Sequence, residues 1–251
     1  MKKGLLVLLL LMVGCARPDS ALRPLPAAEQ LLEGFTRTQG LYRSLDGEAK
    51  VGVTVAGKFF SSQQFLLLER PDRLRIDALS SFGQLLLQLA VNRNEMMVFL
   101  NTTVPGRYYR GPASDENLWR FTRLPIGLKQ MLELLLYDPP LIAGLDTRVE
   151  PHPQGAQLSV VGGVQRQEIV FDRHLRPVAI RYYDRDQLSL QVEYEKISEI
   201  SGFPSRVRIE IPEQKTSVSV RFSEVRTNVP IPAERFSFAQ PANSTLENLP
   251  D

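Results

Sequence analysis

The chain has 251 residues, of which 43% are hydrophobic and 23% are charged. This balance is typical of a globular protein and excludes the disordered, collagen-like and coiled-coil classes. Removing Lys2 and Lys3, which lie in a segment that we expect to be cleaved off, leaves 28 of the 30 basic residues against 28 acidic ones. A neutral protein lacks the concentrated basic charge on which nucleic-acid binders depend, so we expect no nucleic-acid partner.

The N-terminus has the pattern of a secretory signal. Two lysines precede an unbroken apolar run over residues 5–13, which is about half the length needed to cross the hydrocarbon core of a membrane. We therefore predict a signal peptide over residues 1–14 rather than a permanent transmembrane helix. The single cysteine of the chain, Cys15, excludes an internal disulfide.

Gly14 and Cys15, directly after the apolar run, resemble the lipobox of bacterial lipoproteins. The resemblance implies that Cys15 becomes the first residue after cleavage and carries acyl chains, such as palmitate, on its thiol and its amine. Ala16 stands where many lipoproteins of the inner membrane carry Asp, which implies an anchor in the bacterial outer membrane and a periplasm-facing protein. The alternative is that Cys15 simply ends the apolar run of an ordinary signal peptide.

Residues 15–26 are predicted to form the lipidated N-terminus and a flexible tether, because they include three prolines and few large apolar groups. A single domain over 27–240 follows, and residues 241–251 are assigned to a C-terminal tail. The domain opens with Leu31, Leu32 and Phe35 at helical spacing, which predicts a short first helix.

From Ser44 onward the apolar period changes to two. Turn residues then separate strand-like runs at regular intervals, which predicts an antiparallel meander over about 45–55, 58–69, 72–79, 84–91 and 95–102. Ser114 is a suitable N-cap for a short helix that ends near Phe121. A second amphipathic helix follows, with apolar residues at Leu128, Met131, Leu132, Leu135 and Leu136.

The second half returns to strands with a clean alternation of apolar and polar residues, as in 188–195, 206–211 and 217–222. Such strands bury one face and expose the other. The predicted elements are therefore about a dozen strands and three helices. We predict a mainly β (α+β) fold, in which a curved antiparallel half-barrel of about 11–13 strands is closed by a helical lid.

No pattern in the chain indicates catalysis. The run 52–58 matches the first part of a phosphate-binding loop, but Phe59 replaces the required Ser or Thr and no helix follows, so we predict a hairpin turn at Ala56 and Gly57. The only two histidines, His152 and His174, lack partners at metal-ligand spacing. We expect no enzyme activity, no metal site and no cofactor.

The informative feature is an excess of apolar residues in the first half. The runs 85–91 and 96–100 carry large apolar side chains on both faces of a strand, so both faces need a cover. One cover can be an ordinary core while the other face lines a cavity under the helices. The alternative is a two-layer core without a cavity, and periodicity alone leaves both open.

The chain resembles the LolA/LolB-like family of lidded half-barrels that carry acylated cargo across the periplasm. The likeness rests on 73–83 followed by an apolar strand, on 124–136 ending in prolines, and on the paired strands 164–172 and 176–183. The LolB branch, which has its own lipid anchor, is the nearer one, and Phe82 stands where that branch usually has Leu. The resemblance implies an outer-membrane receptor that binds the acyl chains of lipoproteins and passes them to the membrane.

Several expectations follow from the resemblance. Acylated lipoproteins or lipid are the expected ligands, a periplasmic LolA-like carrier is a further expected partner, and the protein is expected to be a monomer held at the membrane by its N-terminal lipid. Phe82 is either a plug folded into the core or an exposed tip that contacts the membrane. The cavity is expected to be lined by Leu74, Ile76, Leu85, Leu87, Val98 and Leu100, and lidded by Leu128, Leu132 and Leu135. Two rivals remain, a carrier of another lipid and a structural envelope lipoprotein that binds a protein partner.

Overall fold

A computed structural model describes residues 24–144 and 146–250. The predicted signal peptide, Cys15 and most of the predicted tether lie outside the described residues. Within them the chain forms three α-helices, α1 (Ala28–Thr38), α2 (Asp115–Thr122) and α3 (Leu128–Leu135). It also forms fourteen strands: β1 (Ser44–Val55), β2 (Lys58–Glu69), β3 (Arg73–Leu79), β4 (Leu85–Asn92), β5 (Glu95–Leu100), β6 (Gly106–Pro112), β7 (Asp146–His152), β8 (Gly155–Gly162), β9 (Gln165–Phe171), β10 (Pro177–Asp184), β11 (Gln187–Ile197), β12 (Pro204–Ile211), β13 (Thr216–Thr227) and β14 (Ser244–Asn248).

All of these strands belong to one open, curved sheet. Its order is β14-β6-β5-β4-β3-β2-β1-β13-β12-β11-β10-β9-β8-β7, so two antiparallel meanders meet where β1 pairs with β13. The first hairpin turns at Ala56 and Gly57, both with positive φ, which is the backbone geometry that matches the twist of the two strands. The mainly β fold, the meanders and this hairpin are confirmed.

The strand count is higher than predicted, and the difference lies at the C-terminus. Residues 241–251, predicted as a tail, include β14, which pairs in parallel with β6. The segment is short and polar, without the apolar alternation that signals a strand. Main-chain hydrogen bonds hold it instead, and the Leu249 amide continues the pairing by donating to the Arg110 carbonyl (2.9 Å).

The three helices pack on one face of the sheet, here called the inner face, which carries the main hydrophobic core. Leu31 and Phe35 of α1, Leu118 of α2 and Met131 of α3 are buried in this core together with side chains of both meanders. The Ser114 hydroxyl caps α2 by accepting a hydrogen bond from the Asn117 amide (3.2 Å), which confirms the predicted start of this helix. None of the described helices has the length and apolar character needed to span a bilayer.

Part of the opposite, outer face of β2–β6 is covered by residues 229–238, here called the C-terminal strap. Phe236 of the strap is fully buried with Leu67 and Ile231, and Phe238 packs on a second cluster that includes Met97 and Phe99. This strap is the second cover that the apolar runs in β4 and β5 require. In β4 and β5 the inner face is therefore covered by helices, and the outer face packs on the C-terminal strap.

Candidate functional site

A cavity of about 140 Å³ lies between the inner face and the helices α2 and α3. Its position follows from small side chains in the sheet. Gln64 on β2 lies opposite Ala78 on β3, and both line the cavity, where the Ala78 methyl group fills less space than a larger side chain would. The wall is formed by Val51, Val53, Gln64, Leu66, Ile76, Ala78, Leu87, Leu89, Phe121, Thr122, Leu124, Ile126, Met131, Leu135, Ile209, Val218 and Val220.

The two helices above the cavity are joined by a short-range contact. The Asp115 carboxylate, in the first turn of α2, accepts a hydrogen bond from the Leu128 amide at the start of α3 (3.2 Å). A carboxylate is favourable there because the first amides of a helix have no partner within it. A side chain at Gly127 would collide with this carboxylate where it stands, so glycine permits the observed approach. The helices α2 and α3 therefore form one connected unit.

Two buried tyrosines and one half-buried tyrosine fix the far end of this unit to the second meander. The Tyr194 hydroxyl donates to the Leu134 carbonyl (3.1 Å), and the Tyr182 hydroxyl donates to the Pro140 carbonyl (2.7 Å). Tyr137, directly after α3, donates to the Pro177 carbonyl (2.8 Å). Burial raises the pKa of all three phenols, which keeps them protonated as donors. The end of α3 is thus held at several points.

The inner face beside the cavity becomes more exposed toward the other end of the sheet, where the β1–β2, β3–β4 and β5–β6 turns lie. Along the inner face of β2, Leu66 is buried, Gln64 is half-buried and Phe60 is 62% exposed. On β4 the same change occurs from Leu89, which is buried, to Leu87, which is half-buried. We call this end of the cavity its mouth.

Phe82 lies in the β3–β4 turn at the mouth and is 90% exposed. The Ser80 hydroxyl accepts hydrogen bonds from the Phe82 and Gln84 amides (both 3.2 Å), and Gly83 adopts the positive φ that the turn requires. These hydrogen bonds fix the backbone of the turn, and the phenyl ring of Phe82 extends into solvent. The interpretation of Phe82 as a plug in the core is wrong, and the exposed tip is the observed arrangement.

The structure places the nine predicted cavity residues in four environments. Ile76, Leu87 and Leu135 lie on the cavity wall. Three more are buried in the core beside the cavity: Leu74, Val98 and Leu132. Two are half-buried against the core: Leu100 and Leu128. Leu85 lies on the outer face, packed against the cluster that includes Met97 and Phe99.

Leu85 differs from the expectation because of a β-bulge. In the β3–β4 ladder, Ala78 pairs with Leu87 but Leu79 pairs with Leu85, so Leu86 is an extra residue. An extra residue reverses the alternation of faces on one side of the bulge. Spacing by two places Leu85 beside Leu87 on the inner face, whereas the bulge moves it to the outer face.

The strands of the second meander supply cavity residues that sequence reasoning did not identify. Val218 and Val220 lie opposite Val53 and Val51, because β1 pairs with β13 across more than 150 positions of sequence. Ile209 reaches the same wall from β12. The alternation of apolar and polar residues in β12 and β13 indicates which face of each strand is buried, but it does not indicate which strand each one pairs with.

Within residues 24–144 and 146–250 no group of three or more His, Cys, Asp or Glu side chains is placed to hold a metal ion. His152 accepts a hydrogen bond through Nδ1 from the Gln154 amide (3.3 Å), inside its own turn. Among the described residues, only two that line the cavity have polar side chains, Gln64 and Thr122. The chemistry of this wall suits the binding of an apolar group.

No protein-family model matches the sequence, and no curated protein matches it. Solved structures do match the fold. A DUF1329 family protein of Desulfovibrio piger aligns with a TM-score of 0.55 and 14% identity, over 84% of this chain and 97% of that chain. A LolA superfamily protein of Nitrosomonas europaea aligns with a TM-score of 0.51 and 12% identity, over 85% of this chain and 98% of that one. At these identities the likeness establishes a LolA-like fold and does not single out the LolB branch.

Proposed function

We propose that this LolA-like protein is a lipid-anchored carrier of the outer membrane that holds acyl chains in the cavity and passes them to the bilayer. The observation that carries the proposal is the cavity itself, with fifteen apolar side chains among its seventeen lining residues. Acyl chains bind such a site because removing apolar surface from water is favourable. The protein acts by binding and release, without catalysis.

An acyl chain needs more room than the structure encloses. The cavity of about 140 Å³ is smaller than the roughly 300–1,000 Å³ of most sites for small molecules. The connected unit of α2 and α3 is fixed at the end of α3, whereas the connection between the two helices carries Leu124 over the cavity. In the proposed cycle this connection moves outward as the chain enters, so the two helices act as a lid.

Release follows at the mouth. Phe82 stands exposed beside it on a turn that has its own hydrogen bonds. Burying a phenyl ring in the bilayer contributes on the order of 1.5–3 kcal/mol, which is enough to hold the mouth against lipid without anchoring the protein. The acyl chain then passes from the cavity into the bilayer with little exposure to water.

Acylated lipoproteins are the proposed cargo, delivered by a periplasmic LolA-like carrier, and Cys15 is the proposed anchor. The LolA-like fold and the exposed Phe82 support this LolB-like role. A carrier of another lipid would use the same cavity, and the cargo in the purified protein distinguishes the two.

The test uses the complete mature chain made soluble by Cys15→Ala behind a cleavable signal. We expect mass spectrometry to find acyl lipid or lipopeptide in the purified protein, and we expect a synthetic lipopeptide to displace an environment-sensitive fluorescent fatty acid with saturation. Leu87→Glu, purified in parallel, controls for lipid carried along from membranes. A protein without co-purified lipid and without saturable binding is not a carrier, and a structural role in the envelope then becomes the better explanation.

A further inference from the structure

Two polar side chains interrupt the apolar inner face along β2. Phe60, Ser62, Gln64 and Leu66 follow one another on this face, each opposite an inner-face residue of β1. The Gln64 side chain lines the cavity, and its Nε2 donates a hydrogen bond to the Ser62 hydroxyl (3.0 Å). Ser62 lies one step nearer the mouth, since Phe60 beyond it is exposed.

Thr122, the other polar residue of the cavity wall, already has hydrogen-bond partners within its own segment. The Thr122 hydroxyl donates to the Leu118 carbonyl (2.9 Å) and accepts from the Leu124 amide (3.2 Å), so its hydrogen bonds stay within the α2 segment. The neighbouring Gln63 lies on the outer face and donates to Glu48 (2.7 Å). Gln64 therefore differs from both, because it faces the cavity with bonding capacity that no described side chain takes up.

Gln64 lines the cavity and Ser62 lies beside it on the inner face, opposite the lining residue Val51, so the pair has one free donor and one free acceptor at the edge of the cavity. In the observed orientation the Gln64 Oε1 is free to accept and the Ser62 hydroxyl is free to donate. Rotating the amide by half a turn exchanges the roles, since Ser62 then donates to Oε1 and Nε2 becomes the free donor. Either orientation leaves one free donor and one free acceptor on the pair.

We propose that Ser62 and Gln64 recognise an amide group at the head of the bound acyl chain. In a trans N-acyl amide the N–H and the C=O point in opposite directions, so the bond that distinguishes it from an ester is the one from its N–H to the free acceptor of the pair, the Gln64 Oε1 in the observed orientation. The chain extends past Gln64 toward Leu66, and the amide stays at the step nearest the mouth. The proposal rests on the acyl-binding function proposed above and gives it a ligand class, N-acyl amides, which include acylated protein N-termini and N-acyl amino lipids.

The experiment compares two neutral probes with one chain length, N-methyl tetradecanamide and methyl tetradecanoate, which differ by an N–H in place of an ester oxygen. Dissociation constants come from displacement of the fluorescent fatty acid. We expect the protein to prefer the amide by about five- to tenfold, the effect of one net hydrogen bond. Gln64→Leu should remove this preference while ester binding persists, Ser62→Ala should reduce it, and Gln63→Leu on the outer face should retain it.

Two further probes separate the sources of the amide. N-tetradecanoyl-Ser-Gly amide represents an acylated protein N-terminus and N-tetradecanoyl-ethanolamine an amino lipid, and a Gln64-dependent gain with either supports the proposal. Equal binding of amide and ester, or a preference that survives in Gln64→Leu, overturns it and leaves the acyl carrier intact. If neither neutral probe binds to the protein, the acyl carrier and the amide site fall together.

Discussion

Leu85 and Leu87 are two residues apart on the same strand and lie on opposite faces of the sheet. Leu87 is on the wall of the cavity, and Leu85 packs on the outer face beside Met97 and Phe99. The bulge at Leu86 separates them, since it inserts one unpaired residue into the ladder with β3. Both side chains are half-buried, which makes them a matched pair for testing the cavity.

Leu87→Glu should abolish acyl binding, because an unpaired carboxylate in an apolar cavity is costly. We expect the affinity for the fluorescent fatty acid to fall by at least about a hundredfold. Leu85→Glu, on the outer face, should bind the same probe within about twofold of the unchanged protein. Circular dichroism of both variants controls for folding. Equal binding losses in the two variants would show that the probe does not enter the cavity.

Phe82→Glu should leave folding and acyl binding unchanged and slow the transfer of cargo into liposomes. The side chain is 90% exposed, so we expect the free energy of unfolding to change by less than about 0.5 kcal/mol. Transfer should slow by about tenfold or more, the effect of losing the burial of one phenyl ring in lipid. Phe82→Leu should restore transfer. Unchanged transfer by Phe82→Glu would remove the membrane contact from the mechanism.

Cys15→Ala, made with a cleavable signal, should be released from the membrane as a soluble periplasmic protein. Acylation of one residue at two positions satisfies the requirement for stable attachment, since each buried methylene contributes about 0.8 kcal/mol. Fractionation of cells followed by immunodetection measures the distribution. Cys15→Ser provides the nearest polar substitution and should behave in the same way. Recovery of either variant in the membrane fraction contradicts the prediction that Cys15 is the sole anchor.

Leu249→Ala should destabilise the domain, although Leu249 lies two residues from the end of the chain. Leu249 is buried against Gly111 beside β14, and Pro250 accepts a hydrogen bond from the buried Asn117 side chain (2.9 Å). We expect a loss of about 2–4 kcal/mol in urea unfolding. Leu246→Ala, in β14 but 52% exposed, is the control and should cost less than about 0.5 kcal/mol. Equal effects of the two changes would mean that the C-terminus does not pack as described.

Stability should fall steeply above about pH 10. Burial raises the folded-state pKa of Tyr137, Tyr182 and Tyr194 above the ordinary value of about 10. The unfolded chain loses these protons first, so the stabilisation is complete well below pH 10 and is lost as the pH rises through 10, with a slope that approaches about 1.4 kcal/mol per pH unit for each tyrosine. Tyr137→Phe should reduce this slope by one such step in urea unfolding between pH 10 and 11. An unchanged slope would place the Tyr137 phenol in water.

Local patterns predicted most of the secondary structure. The strands of the first meander, the N-cap at Ser114 and the amphipathic helix that begins at Leu128 follow from short-range periodicity and turn chemistry, which depend on neighbours a few residues away. The same periodicity requires two covers for β4 and β5. The periodicity does not predict that helices cover the inner face, or that Phe236 of the C-terminal strap covers part of the outer face.

The sequence by itself determined that this is a mainly β protein with three helices, an apolar excess in its first half and an exposed-or-buried choice at Phe82. Only the tertiary structure decided that choice, the bulge at Leu86 and the position of the cavity beside Gln64. Each of these depends on which strands become neighbours. The pairing of β1 with β13 and of β6 with β14 is made by main-chain hydrogen bonds between distant segments. Every residue except proline can make these bonds, so the pattern of side chains in the sequence does not predict which strands pair.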